Sequence, residues 1–404
     1  MRIIWFHILI FVASLALSQN EATQWRFNSN SGLNFNTTPP TPTVGGPVGF
    51  NLCGASIADG TGNLLFFTNG VDIFDSQNNV MANGNAVGYF GGVQNAIIIK
   101  QPGTMDKYFI FSNSMMTQGL GYAIVDMSLA AGMGSVTVKN QTLMLPGGAG
   151  KLAAAKHCNG VDSWIVAHRP GNNEFAAFLL SSAGVSTVPV VSAIGLVPLS
   201  NDNGQIKFSP DGRRMAAVYS FSGKEIFDFN PATGILSNVV SLNDDEGVGC
   251  DFSSDGSKFY SVGGANRVLF QWEICGGSPA SITNSKDTVG VCTSTAYAIG
   301  YMQLGPDEKI YTTHGGGQYA PSALGVINSP NVAGIACNYN DLGQPLVPGT
   351  FGVGLPGFES HLLRAKFNYT AAGSCATATF NVPSPGCKTN GVYSWNFGDP
   401  ASGT

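Results

Sequence analysis

Charge is scarce in this chain. Only 11% of its 404 residues are Asp, Glu, Lys or Arg, against about 25% in an average soluble domain. With 19 basic and 24 acidic residues the formal charge is −5. That leaves no basic footprint of the kind that displaces counterions from nucleic acid, and it disfavours an anionic membrane surface. Long apolar runs are missing too: beyond the N-terminus none reaches the roughly 18 residues that a spanning helix needs. The eight cysteines include no CxxC pair, which argues against a zinc ribbon or a thiol redox motif. Histidine is rare. Past the first residues there are His157, His168, His314 and His361, and no two form an HxxxH ligand pair. There is no GxSxG elbow and no P-loop, since Gly315-Gly316-Gly317 lacks a following Lys-Ser/Thr. No cofactor and no metal site is implied, and the expectation is a protein that is not an enzyme.

What is abundant is turn chemistry, with 53 Gly and 21 Pro. Asn, Ser, Thr, Gln and Gly must cover the surface that charge does not, a coat that suits exported proteins. The first residues agree. Met1-Arg2 gives a positive end, Ile3 to Leu17 is apolar, and Ala16-Leu17-Ser18 places small residues where a signal peptidase reads. Residues 1–18 are therefore expected to be a signal peptide cleaved before Gln19, with no membrane insertion afterwards and an extracellular or outer-surface location.

The strongest signal is a repeat. Ile206-Lys207-Phe208 meets the turn Ser209-Pro210-Asp211-Gly212; strands Met215 to Tyr219 and Glu225 to Phe229 follow, and Asn230 to Gly234 turns the chain again. Pro presets φ and Gly accepts φ > 0, so each turn has a cause. The plan recurs around Ser253-Ser254-Asp255-Gly256 and Gly305-Pro306-Asp307-Glu308. It recurs more loosely around Asp59-Gly60-Thr61-Gly62, Pro102-Gly103 and Asn159-Gly160. Turns return about every 50 residues with period-two patterning between them, near the spacing of β-propeller blades. The fold class is all-β: a propeller over residues 19–368, expected to have seven four-stranded blades. Six are read directly. The seventh would combine Trp25-Arg26-Phe27 and Leu33-Asn34-Phe35 with Leu355-Pro356-Gly357-Phe358 and Leu362 to Phe367. From 369 to 404 the pattern changes, as at the start of an Ig-like sandwich, for which some 35 residues are too few.

Tyr393-Ser394-Trp395-Asn396-Phe397-Gly398-Asp399 resembles the W-x-F-G-D core of PKD domains. The propeller part resembles the N-terminal region of PKD-domain-containing, gliding-motility-associated surface proteins of Bacteroidota. The matching residues include Trp25-Arg26-Phe27 with Gly32 to Asn36, Ala55 to Asp59 with Gly62 to Phe66, Met81 to Gly84, Val125 to Leu129, Lys207 to Gly212, Leu304 to Tyr311, and Gly354 to Phe358. The resemblance implies type IX secretion and display on the cell surface. It supplies no catalytic residues.

Disulfides are open to an exported chain. The local candidates are Cys275 with Cys292 and Cys375 with Cys387, each worth about 3 kcal/mol if unstrained. Cys250 alternates with Val248 and Phe252 and reads as a buried free thiol. Asp244-Asp245-Glu246 and Asn201-Asp202-Asn203-Gly204 match no full calcium loop and read as solvated turns. Ser209 to Gly212 and Ser253 to Gly256 lack the residue between Asp and Gly that a sialidase Asp-box keeps, and read as hairpin turns. A ligand would be expected on the rim where second-to-third-strand links meet interblade links. That rim gathers His168, Arg169, Tyr219, Asp244, Asp245, His314 and Tyr319, whose aromatic and polar character suits a glycan or a protein partner. Adhesion or binding of such a partner is the first functional reading. A lactonase-like or glycan-cleaving propeller enzyme with a channel metal, and a purely structural stalk, are the alternatives.

Overall fold

Ser209 and Ser253 show how the local sequence makes the repeat. In each turn the serine hydroxyl donates to the aspartate two residues on (Ser209 Oγ to Asp211 Oδ1, Ser253 Oγ to Asp255 Oδ1, both 2.7 Å). The glycine amide then closes on the serine carbonyl at 2.8 and 2.9 Å. Gly212 and Gly256 sit at φ +67° and +71°, a region open to glycine at no steric cost. Both motifs are hairpin turns between the first and second strands of a blade.

The computed structural model describes residues 20–363 apart from 28–29, 46–53, 88–93, 95, 115–118, 146–149, 200–201, 243–246, 276, 316–319, 349 and 351–353, together with the backbone of 368–372 and 377–381. Seven small antiparallel sheets form a ring, so the fold is a seven-bladed β-propeller. Blade 1 holds Gln24–Phe27, Ser31–Asn34 and Thr41–Val44; blade 2 holds Ala55–Ala58, Leu64–Thr68 and Ile73–Asp75. Blade 3 holds Ala96–Lys100, Lys107–Asn113, Leu120–Asp126 and Ser135–Met144. Blade 4 begins with Leu152–Lys156, Ser163–His168 and Glu174–Ser181; Gly184–Val185 and Val190–Ala193 both pair with its third strand. Blade 5 holds Ile206–Phe208, Arg214–Tyr219, Gly223–Asn230 and Ile235–Ser241. Blade 6 holds Cys250–Phe252, Lys258–Gly263, Val268–Glu273 and Asp287–Val291, and carries a short helix, Pro279–Asn284, capped by Ser278. Blade 7 holds Ala298–Leu304, Ile310–Gly315, Ala323–Ile327 and Tyr339–Pro345.

Each blade buries both faces against its neighbours. Phe208 packs with Trp164 and Phe229 between blades 4 and 5, while Phe252, Phe259 and Trp272 fill the layer between blades 5 and 6. Burial of each such side chain contributes roughly 1.5–3 kcal/mol. Blade 1 closes the ring. Trp25 and Phe35 meet Tyr311 of blade 7 at 5.4 and 5.5 Å between ring centroids. On its other side the Ala58 amide donates to the Glu21 carbonyl at 2.8 Å, and Ser56 Oγ to the Gln24 carbonyl at 2.7 Å.

Two expectations are corrected. Strand number varies: among the described residues, blades 1 and 2 have three strands and blade 4 has five. Among the described residues blade 1 is also built from N-terminal strands only, its third strand drawn from the Pro-rich stretch after Pro39; of the Leu362 to Phe367 segment expected beside them, residues 364–367 lie outside the described residues. Leu355 to Phe358 joins no ladder. Gly357 donates a single backbone bond to Gly54 (3.1 Å), and Phe358 stacks toward Trp25 at 6.0 Å.

One expected cysteine pairing is corrected as well. Cys292 is a free thiol pointing at the Ser294 and Tyr297 carbonyls, 3.5 and 3.3 Å away. A Cys275–Cys292 disulfide is therefore not formed. Cys250 is buried and free, and burial raises its thiol pKa further above the ordinary value. Cys375, Cys387 and the Trp395 to Asp399 motif lie outside the described residues.

Candidate functional site

The inner strands are linked by the chain's own side chains. Two glutamines tie inner strands together. Gln94 Nε2 donates to the Ile206 carbonyl and Oε1 accepts from the Ile206 amide, both at 2.9 Å. Gln205 accepts from the Cys250 and Met302 amides (3.0 and 2.9 Å) and donates to the Met302 carbonyl (3.1 Å). Lys207 donates to Gln303 Oε1 at 2.5 Å and lies 3.6 Å from Asp251. Burial raises the Asp251 carboxyl; Lys207 and the Phe252 and Leu304 amides oppose the rise.

Past blade 7, residues 354–363 lie against these inner strands. Phe358, Ser360 and Leu363 line the same space as Lys207, Asp251 and Gln303, and only about 20 Å³ is left there. A charged latch holds the segment. Glu359, 3% exposed, pairs with Lys156 Nζ at 3.4 Å and His361 Nδ1 at 3.3 Å. Burial alone would push its carboxyl up. His361 and Lys156, with the Ser163 hydroxyl, outweigh burial and hold it down to about 2.

Beside the latch is a cavity of about 330 Å³, on the rim that carries the first-to-second-strand turns of blades 2 and 3. Its apolar wall includes Ile57, Leu65, Ile98 and Tyr108; Glu21, Asp59, Asp106 and Glu359 supply carboxylates, and Lys100 and Lys156 ammonium groups. The Asp59 carboxylate is occupied by its own turn, accepting from Thr61 and Asn63. Tyr108 is pushed up to about 12, by burial first and then by Glu21, Asp106 and Asp59. A shallower depression of about 410 Å³ lies along Pro306 to Glu308 and Asn328 to Val332.

The other rim is where sequence reasoning put a ligand. The structure brings His168 and Tyr219 together, ring centroids 5.8 Å apart, but both are fully buried. They pack with Phe175 and with Lys151, whose Nζ is 5.1 Å from the Tyr219 ring and donates to the Asp202 carbonyl. Burial pulls the Lys151 ammonium down to about 8 against the charge of Asp202. Burial and Lys151 together take His168 down to about 3, so its imidazole is neutral at any ordinary pH. Asp202 is buried rather than solvated, accepting from the Phe221 amide and the Ser222 hydroxyl. Arg169 is spent on a partly exposed pair with Glu174 at 2.8 Å.

His314 belongs to a different cluster. Its Nε2 is 3.1 Å from Asp341 Oδ1 and its Nδ1 3.0 Å from the Ala323 carbonyl. Asp341 also accepts from Thr293 (amide 2.7 Å, hydroxyl 2.6 Å), Tyr297 (3.0 Å) and Tyr339 (2.9 Å). Burial would raise its carboxyl, but these bonds, led by His314, hold it well below the usual carboxylate range. The histidine is a buried structural member, its hydrogen bonds met by the protein. Asp244, Asp245 and Tyr319 lie outside the described residues. No group of three or more His, Cys, Asp or Glu among the described residues is arranged to hold a metal ion.

Glu21, Tyr108, Lys156 and Glu359 carry no sequence motif. They come from both ends of the propeller and from two different blades, and only ring closure assembles them.

No known family profile matches the chain, and no curated protein does. Solved structures of similar shape include the Dos1 propeller, at 11% identity and a TM-score of 0.45 over 72% of this chain and 70% of that one. Another is a candidate 6-phosphogluconolactonase of Bacteroides fragilis, at 14% identity and 0.40 over 61% and 75%. The hydrazine synthase of Kuenenia stuttgartiensis matches at 10% and 0.42 over 93% and 99%. At such values they bear on neither activity nor ligand.

Proposed function

We propose that the chain is a non-enzymatic binding module of an exported, surface-displayed protein, engaging a glycan or protein partner through a rim of the propeller. The observation that supports this reading is where open space lies among the described residues. Phe358, Ser360 and Leu363 pack beside Lys207, Asp251 and Gln303 and leave about 20 Å³ there, whereas about 330 Å³ is open on the turn rim of blades 2 and 3. Export is supported by the apolar segment behind Met1-Arg2 and by the sparse charge of the rest. The likeness of Tyr393 to Asp399 to a PKD core supports a modular chain in which the propeller is one displayed unit, secreted by the type IX route.

The test is expression of the whole chain with its own leader in a bacterial host with an outer membrane. Cell fractionation and N-terminal sequencing of the product come first, then binding of the purified protein to a glycan array and to immobilised extracellular-matrix proteins. A mature N-terminus at Gln19 with saturable binding to one ligand set is expected. Retention of the leader in the cytoplasm, or turnover of a sugar lactone or glycoside, would overturn the reading.

A further inference from the structure

Blades 5, 6 and 7 use a similar turn between their first two strands, and the third copy differs at one place. In each, the fourth residue donates its amide to the carbonyl of the first: Gly212 to Ser209, Gly256 to Ser253 and Glu308 to Gly305, at 2.8, 2.9 and 3.0 Å. The blade 7 hairpin then closes one residue sooner, through the Gly305 amide and the Lys309 carbonyl at 2.7 Å. The fourth residue stands at φ +67°, +71° and +65°. Glycine takes that conformation freely, whereas a side chain is strained in it. Among the described residues Glu308 is the only charged one in the left-handed region. Strain that a glycine would relieve points to a task for the side chain.

That task is not supplied by the fold. Glu308 Oε2 accepts from the Ser254 hydroxyl at 3.3 Å, a long bond for two oxygens. The side chain lines the depression of about 410 Å³ between its own turn and Asn328 to Val332. Blade 6 fixes the opposite side. Tyr260 donates to the Pro330 carbonyl and Gln271 to the Val332 carbonyl, both at 2.8 Å. Asn331 accepts from the Asp255 amide at 3.3 Å and donates to Ser254 Oγ at 3.1 Å. Glu308, Asn328, Ser329 and Asn331 are half-buried, so each keeps accessible surface. The lining contains no Lys, Arg or His, and its other acid, Asp307, is taken by the Tyr311 hydroxyl at 2.7 Å.

We propose that this depression is a subsite for a neutral carbohydrate, with the Glu308 carboxylate accepting from two neighbouring hydroxyls of one sugar ring. An ionised carboxylate is acceptor-only and takes two donors at once, and such charge-assisted bonds are the strong ones. The short polar side chains of Asn328, Ser329 and Asn331 match further hydroxyls, and Pro306 and Val332 offer apolar surface to the ring's C–H groups. A protein partner would instead need a deep apolar pocket for an anchoring side chain, which this shallow, polar depression does not provide. Because the far side is already pinned, little ordering is lost on binding. The proposal rests on the surface-binding reading and names its ligand class and the residue at its centre.

Saturation-transfer NMR of the whole mature chain with maltotriose, cellotriose, mannotriose and chitotriose, and with trigalacturonate as the anionic comparison, tests it. At least one neutral trisaccharide is expected to receive saturation at millimolar concentration, and trigalacturonate, repelled by Glu308, none. Glu308→Gln should weaken the neutral sugar about tenfold, the size of one charge-assisted hydrogen bond. Glu308→Gly should abolish binding while keeping or raising the urea midpoint, since glycine accepts the left-handed backbone. A lower midpoint for Glu308→Gly would make the side chain structural and overturn the proposal. Silence from all four neutral sugars, saturation of trigalacturonate equal to theirs, or binding unchanged in Glu308→Gly would overturn it as well. Glycan-array binding that survives Glu308→Gly would refute this inference alone and leave the surface-binding reading standing.

Discussion

Replacing Glu359 by Gln would remove one charge from the latch while keeping its shape. In the wild-type chain the carboxyl drops from its ordinary 4.5 to about 2 on folding. At about 1.4 kcal/mol per tenfold change in acidity, the drop corresponds to roughly 3 kcal/mol of stability. Lys156 is 26% exposed, and solvent screening of that partner trims the figure to about 2 kcal/mol. The sign follows from linkage. A folded-state value below the unfolded one gives stability that is fully present above about pH 4.5 and is lost as pH falls through about 2. The Gln chain should therefore be about 2 kcal/mol less stable than wild type at pH 7. The gap should narrow below pH 4.5 and approach zero near pH 2. Urea unfolding of both proteins at pH 7, 4 and 2.5, followed by near-UV circular dichroism, measures it. Equal stability at pH 7, or a gap that stays constant down to pH 2.5, would show that the latch does not hold residues 354–363 in the ring.

Two further outcomes follow from the buried centre. Gln205→Ala strips partners from the Cys250 and Met302 amides and the Met302 carbonyl. With each buried orphan costing about 1–3 kcal/mol, a loss of about 3 kcal/mol or more is expected in urea titration, and a loss below about 1 kcal/mol would contradict the stapling role. Iodoacetamide at pH 8, with peptide mapping, should label the exposed Cys158 in the native protein but leave the buried Cys250, Cys292 and Cys337 unmodified until urea is added. Native labelling of Cys250 would contradict its burial.

The blades were legible where the determinants are local. Val268 to Ile274 alternates, the Asp211-Gly212 and Asp255-Gly256 turns precede it, and the strands at 206–208, 214–219, 223–230 and 258–263 fall where that pattern puts them. The site was not legible. His168, Tyr219 and His314 have suitable chemistry and sit at or beside strand ends, but a strand end can face the packed layer as easily as the solvent, and all three are buried. His314 is buried against Asp341, on which Thr293, Tyr297 and Tyr339 also converge, a grouping with no regular spacing. Leu355 to Phe358 looked like a strand by composition; Gly357, where a Cβ would come within 2.8 Å of the Ala96 carbonyl, instead lets the chain pass close to an inner strand.

By itself, then, the sequence determined an all-β chain of repeated blades whose turns are made by short Gly-, Pro-, Asp- and Asn-bearing units, two of them Ser-x-Asp-Gly. Hairpin pairing and period-two burial are decided within a few residues. Only the tertiary structure decided that the N-terminal strands pair into a blade, that residues 354–363 lie against the inner strands, and that Glu21 and Glu359 line one cavity. Those outcomes depend on closing a circle, which brings the two ends of the propeller together, and on the competition for burial at its hub. Neither leaves a mark in the spacing of residues along the chain.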